Sequence, residues 1–155
     1  MNTALKLLER TRHAFLELTR DLSQDQLLHI PDGFNNNILW NLGHVAVTQQ
    51  LLTYNLSGLD LNVSREMVKT FRNGTSPKDW QTPPDVDEVK ELCLSLVAKT
   101  IEDYEQGLFE GNQETKLPYT TRLGGELESP DDAVQFNNLH EGLHLGTVIA
   151  LKRLV

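Results

Sequence analysis

Apolar residues recur along this chain at three- and four-residue steps, the spacing that lines one face of an α-helix. In the first segment Ala4, Leu8, Thr11, Phe15, Leu18 and Leu22 keep that rhythm and predict a helix over roughly 3–22. Ser23 followed by Gln26 is a capping-box signature for a short helical turn that stops before Pro31. Asp32-Gly33 marks a turn, and Asn35 to Asn37 offer N-caps for a second long helix. That helix reaches about Leu56, with Trp40, His44, Val47, Leu51 and Tyr54 on one stripe, and Ser57-Gly58 ends it.

Residues 59–84 are less regular. Ser64 with Met67, Val68 and Phe71 suggests a short helix, while Pro77, Pro83 and Pro84 mark a connection. A third long helix starts near Asp85, where Asp85, Asp87 and Glu88 suit the positive end of the helix dipole. Its stripe is Val86, Val89, Cys93, Leu96, Val97, Thr100 and Tyr104. A polar stretch follows over 110–128, in which Leu117, Pro118, Tyr119 and the Gly124-Gly125 pair suggest an extended loop or hairpin. Ser129-Pro130 then places a capping residue before a proline at the first helical position. The fourth long helix ends with Lys152 and Arg153, which complement its negative terminus. Four long helices, no internal repeat and no sign of a second domain predict an all-α four-helix bundle, one domain over 1–155, with its long connection between helices two and three.

Composition narrows the function classes. The 155 residues carry a formal net charge of −8 and show no cluster of Lys and Arg, which argues against nucleic acid and against acidic lipid surfaces. Cys93 is the single cysteine, so no internal disulfide forms and a reducing compartment is expected. Residues 1–20 read as a charged amphipathic helix rather than a signal peptide, and no apolar run has membrane-spanning length, which makes the cytoplasm the expected location.

The candidate chemistry lies in histidine. His140 and His144, in N-N-L-H-E-G-L-H-L-G, stand slightly more than one helical turn apart, the spacing that hands two imidazoles to one metal ion. Ala133, Phe136, Asn137, His140, His144, Thr147, Val148 and Leu151 are expected to share the inward face of the fourth helix. His44 sits similarly on the second helix, between Trp40 and Thr48 and beside Gly43. Three buried imidazoles without partners would be costly, and a divalent metal would satisfy them. Gly43, Gly142 and Gly146 are expected to let the two helices approach closely. The alternative for each histidine is a hydrogen-bonded core residue. His13 and His29 lie outside the predicted site.

The segment I-P-D-G-F-N-N-N-I-L-W-N-L-G-H-V at 30–45, the H-E-G-L-H at 140–144 and the run of helices resemble the DinB/YfiT-like superfamily of metalloenzymes. The resemblance covers nearly the whole chain and implies an up-down-down-up bundle, often homodimeric. It also implies a divalent metal, zinc or nickel, on one His of the second helix and an HxxxH pair of the fourth. His44, His140 and His144 match those positions. Three protein ligands leave coordination positions open, the mark of a catalytic site. The resemblance further implies a small-molecule substrate and a thiol-dependent S-transferase or isomerase chemistry in which the metal activates a low-molecular-weight thiol; a hydrolase is the other reading of an open site. A non-catalytic metal-binding or dimerising bundle is the alternative from a different class.

H-E-G-L-H also fits the H-E-x-x-H helix of zinc proteases, with Glu141 as general base. Those enzymes take a third ligand downstream, yet no His, Asp, Glu or Cys follows His144, and Ala150 stands where a third His would fall. Asn41 and Asn137, each three positions before a histidine, are candidates to orient an imidazole or touch substrate. Glu141 lies about 80° around the helix from the midline of the His pair, within reach of a metal-bound water or in a supporting role. Trp40 and Tyr54 read as pocket lining or aromatic core, and Cys93 as an inert core residue.

Overall fold

A computed structural model describes residues 3–111 and 115–155. Among these lie six α-helices: α1 (Thr3–Thr19), α2 (Gln24–Leu28), α3 (Ile38–Gln50), α4 (Arg65–Phe71), α5 (Val86–Glu105) and α6 (Pro130–Lys152). The starts follow the capping chemistry of the sequence. Ser23, Asn37, Ser64, Asp85 and Ser129 each accept a backbone N–H from the first turn through the side chain, and Ser23 and Ser129 form reciprocal capping boxes with Gln26 and Asp132.

The long helices α1, α3, α5 and α6 form the bundle. Asn138 donates to the Ala4 carbonyl and Lys152 to that of Leu18, so α1 and α6 advance together and are parallel. Cys93 Sγ donates to Leu42 O and Gln49 Nε2 to Thr100 Oγ1, which makes α3 and α5 parallel as well. Between the pairs the direction reverses: His44 faces His140 while Asn41 faces His144. The order is therefore up, down, down, up. Parallel neighbours cannot be joined by a short turn, which is why the link from α3 to α5 is long and holds α4 and a 3₁₀ turn, Pro77–Asp79.

The α1 face is turned slightly from the expected stripe. Leu5, Leu8, Arg12, Phe15 and Thr19 are buried, whereas Ala4, Thr11 and Leu18 are only half-buried and the helix stops at Thr19. Helix α3 is buried on nearly all sides, packed by α5 and α6 and covered by α2 and α4. A buried helix must satisfy its polar side chains internally, and this constraint governs Asn41 and His44. Past Gln50 the helix continues as a π-helical turn, Leu51–Asn55. Thr53 Oγ1 donates to Gln49 O at 2.7 Å, supplying a second donor to that carbonyl where the ladder widens.

The stretch before α6 contains a two-residue hairpin, Tyr119–Thr120 paired antiparallel with Glu126–Leu127, as the Gly-Gly pair suggested; residues 112–114 of that stretch lie outside the described residues. No helix among the described residues is long and apolar enough to cross a membrane.

Candidate metal centre

Helices α3 and α6 bring His44, His140 and His144 together. One nitrogen from each lies within 4.8 Å of the others, and among the described residues these three alone form the group. His44 is buried; His140 and His144 are half-buried, at the edge of the bundle interior rather than in its middle. The core position on that face of α6 belongs to Glu141, a correction to the expected inward stripe.

Two of the rings are oriented by acceptors. The Nδ1–H of His44 donates to the Phe71 carbonyl at 2.7 Å, which leaves Nε2 as a lone pair. Trp40 stacks flat on the same ring, centroids 4.4 Å apart. His144 Nδ1–H donates to Asn41 Oδ1 at 2.8 Å. Asn41 is itself held, because its amide donates to Asn37 O at 2.7 Å and so turns its oxygen toward α6. The chain of causes runs from the N-cap of α3 to a ring on another helix.

His140 Nε2 lies 3.3 Å from His44 Nε2, and His140 Nδ1 is buried with no partner. Burial favours the neutral form of each ring: desolvation shifts His44 below the usual imidazole value, and desolvation followed by the neighbouring imidazoles lowers His140 to about 3 and His144 to about 4. Neutral imidazoles that each bring a nitrogen within 4.8 Å of the others suit a cation. Nitrogens held 2.0–2.1 Å from a tetrahedral zinc lie about 3.3–3.4 Å apart, so the observed His44–His140 spacing fits such an ion.

A family model described as the DinB superfamily matches residues 7–148, most of the chain and all three histidines. The chain belongs to the DinB superfamily. The fold of this DinB protein is also seen in a crystal structure of a conserved protein from Enterococcus faecalis, with a TM-score of 0.61, 15% identity, and coverage of 100% of this chain and 98% of that one. None of the curated proteins matches the chain.

Other predicted residues fall differently in this DinB protein. Asn41 orients an imidazole, but that of His144 across the bundle and not that of His44 on its own helix. Asn137 does not touch His140; its amide donates to Glu141 Oε1 at 2.7 Å. Glu141 does not face the imidazoles as a base would. It is fully buried, and its two oxygens accept from Arg12 Nε and Nη2, both at 2.8 Å. Tyr54 is core, donating to Asp103 at 2.6 Å, and the buried Cys93 thiol is pushed up to about 11 by desolvation. His13 and His29 are exposed and stand apart.

The glycines divide. A Cβ on Gly43 would sit 2.4 Å from the Phe71 ring, so this glycine admits α4, whose Phe71 carbonyl holds His44. A Cβ on Gly142 or Gly146 would meet nothing; they face outward and do not draw α3 and α6 together, contrary to expectation. Arg12 was missed altogether. A charged residue on the Leu5, Leu8, Phe15, Thr19 stripe reads as an interruption, although its position in the 3-4-3-4 series was a usable signal.

Proposed function

We propose that this DinB-superfamily protein is a divalent-metal-dependent enzyme acting on a small molecule, with His44, His140 and His144 as its protein ligands and zinc or nickel as the ion. The convergence of three neutral imidazoles carries the reading: two are tied by their outer N–H groups, and no fourth protein ligand joins them among the described residues. A divalent cation bound there supplies a Lewis acid able to turn a small thiol or a water into a nucleophile near neutral pH. The chain's own groups support an external nucleophile. Cys93 is sealed in the core with its Sγ–H donated to Leu42 O, and Glu141 is engaged by Arg12 and Asn137, which disfavours a protease-type general base. Trp40 and Phe71 hold the His44 ring and Asn41 that of His144, so two of the three ligands are preorganised on helices rather than on loops. The reaction that fits is thiol-dependent S-transfer or hydrolysis, in the cytoplasm, where a lone cysteine stays reduced.

Protein purified without a His tag should hold one divalent metal per chain. Ala in place of His44, His140 or His144 should lower that content sharply while circular dichroism still shows a helical protein. Unchanged stoichiometry in His44→Ala removes the third ligand. Turnover, sought in a small-molecule screen with and without low-molecular-weight thiols, should vanish on chelation, return with metal and survive Cys93→Ser. In a cobalt-substituted sample a thiolate charge-transfer band supports S-transfer; an unchanged spectrum alongside ester or amide turnover supports hydrolysis.

We also propose a homodimer built on the outer face of α6. Leu139, Leu143 and Ile149 are exposed there beside the outward Gly142 and Gly146, and Leu7 of α1 adds to the patch. No charged side chain is exposed between Leu139 and Ala150, which spares two chains of net charge −8 from direct repulsion. An antiparallel twofold pairing of α6 would also set Asp131 of one copy near Arg153 of the other.

A further inference from the structure

One guanidinium grips both helices that carry the histidines. Arg12 of α1 is completely buried. Its Nη2 donates to Val45 O at 2.7 Å, on the residue after His44, and to Glu141 Oε1 at 2.8 Å, on the residue after His140. Nε closes a second bond to Glu141 Oε2 at 2.8 Å, and Nη1 reaches Cys93 O of α5 at 3.2 Å. Asn137, one turn back on α6, braces the same carboxylate.

A fully buried ion pair is weak evidence for stability, because desolvating two charges offsets their attraction, and well-packed apolar residues of similar size often do as well. Its distinguishing property is direction. The planar fork of Arg fixes several acceptors at set angles at once, which an apolar contact cannot do. Here those acceptors belong to three helices at the level of the imidazoles. The other groups near the rings act differently: Phe71 O meets only the His44 ring, and Asn41 ties α3 to α6 through the His144 ring alone, whereas Arg12 bonds α3, α5 and α6 at once without touching a ring.

We infer that Arg12, through Glu141 and the Val45 carbonyl, is a positioning residue that fixes the register of α6 on α3 and thereby the convergence of His44, His140 and His144. It touches no ligand nitrogen. The inference rests on the metal-centre reading for its consequence, but its geometry can be judged separately.

The test uses the full chain with Arg12→Met and Glu141→Met together, which removes both charges and leaves neither orphaned. Zinc and cobalt affinities are measured by competition with a chelator, beside thermal unfolding and a metal-free crystal structure. The expected result is a protein of parental helicity whose metal affinity is lower by roughly 10–100-fold, the range for lost supporting contacts around a metal site. Its His44–His140 nitrogen separation should depart from the present 3.3 Å by more than about 0.5 Å. Arg12→Lys keeps the charge but loses the fork, and should weaken cobalt binding and alter its d–d spectrum while the fold persists. If the double variant fails to fold, this second variant decides. Affinity within twofold of the parent and an unmoved separation in a folded variant would overturn the inference. If the parent binds neither metal, the metal-centre reading fails while the imidazole separation still judges Arg12.

Discussion

A single methyl group separates glycine from alanine, and at Gly43 it has nowhere to go. The added Cβ would lie 2.4 Å from a ring atom of Phe71, the buried last residue of α4. Gly43→Ala should therefore destabilise the fold by about 1–3 kcal/mol through overpacking, seen as a lower Tm. Because Phe71 O holds His44 Nδ1, the same change should weaken metal binding more than Gly142→Ala does; equal affinities would show that the α4 approach does not hold the ring. At this scale the sequence was informative about residues whose role follows from local spacing. The His140/His144 pair is of that kind, because helical geometry converts separation into direction, whereas its match with His44 rests on the apolar stripe of another helix and on the family resemblance. Asn41 and Glu141 were not legible in full, since their partners come from other helices: His144 for the one, Arg12 for the other. No local rule reports an acceptor 129 residues away.

Helix ends were legible for the same local reason, since a cap is settled within four residues. Ser129 shows what such an end contributes. Its Oγ accepts from Asp132 N, and Asp132 Oδ2 accepts from the backbone of Ser129 and Glu128 as well as from the Ser129 hydroxyl. Ser129→Ala should cost about 1 kcal/mol. The hydrogen bonds from Ser129, then that from the Glu128 backbone, hold Asp132 below its ordinary value of 3.8. A carboxyl depressed in the folded state stabilises the fold above its unfolded value and loses that contribution as pH falls through its folded one. The Tm gap between the parent and Asp132→Asn should thus be open at neutral pH and close in acid below the ordinary carboxylate range; a gap independent of pH would show that the charge plays no part. Less legible were the exact face of α1, displaced because Arg12 occupies a core position, and the π turn after Gln50, which depends on buried side chains competing for backbone carbonyls.

For the molecule as a whole, the apolar face of α6 bears on assembly. Leu143 is 57% exposed, so Leu143→Glu should leave the fold and the metal content intact while converting a dimer to a monomer in sedimentation velocity. A parent that sediments as a monomer at high concentration would remove the homodimer. The parallel pairing of α1 with α6 has a different consequence, for the order in which structure can appear. Arg12 meets its carboxylate partner across 129 residues, and His44 meets His140 across 96. On a ribosome releasing the chain from its N-terminus, α1 and α3 emerge long before the helix that completes their contacts. The first helix must then keep its guanidinium hydrated, and the three imidazoles stay apart, until α6 has been synthesised. Distant pairings of this kind raise contact order and slow folding relative to helical proteins built from neighbours. Acquisition of metal by a nascent chain would accordingly mark the last act of folding.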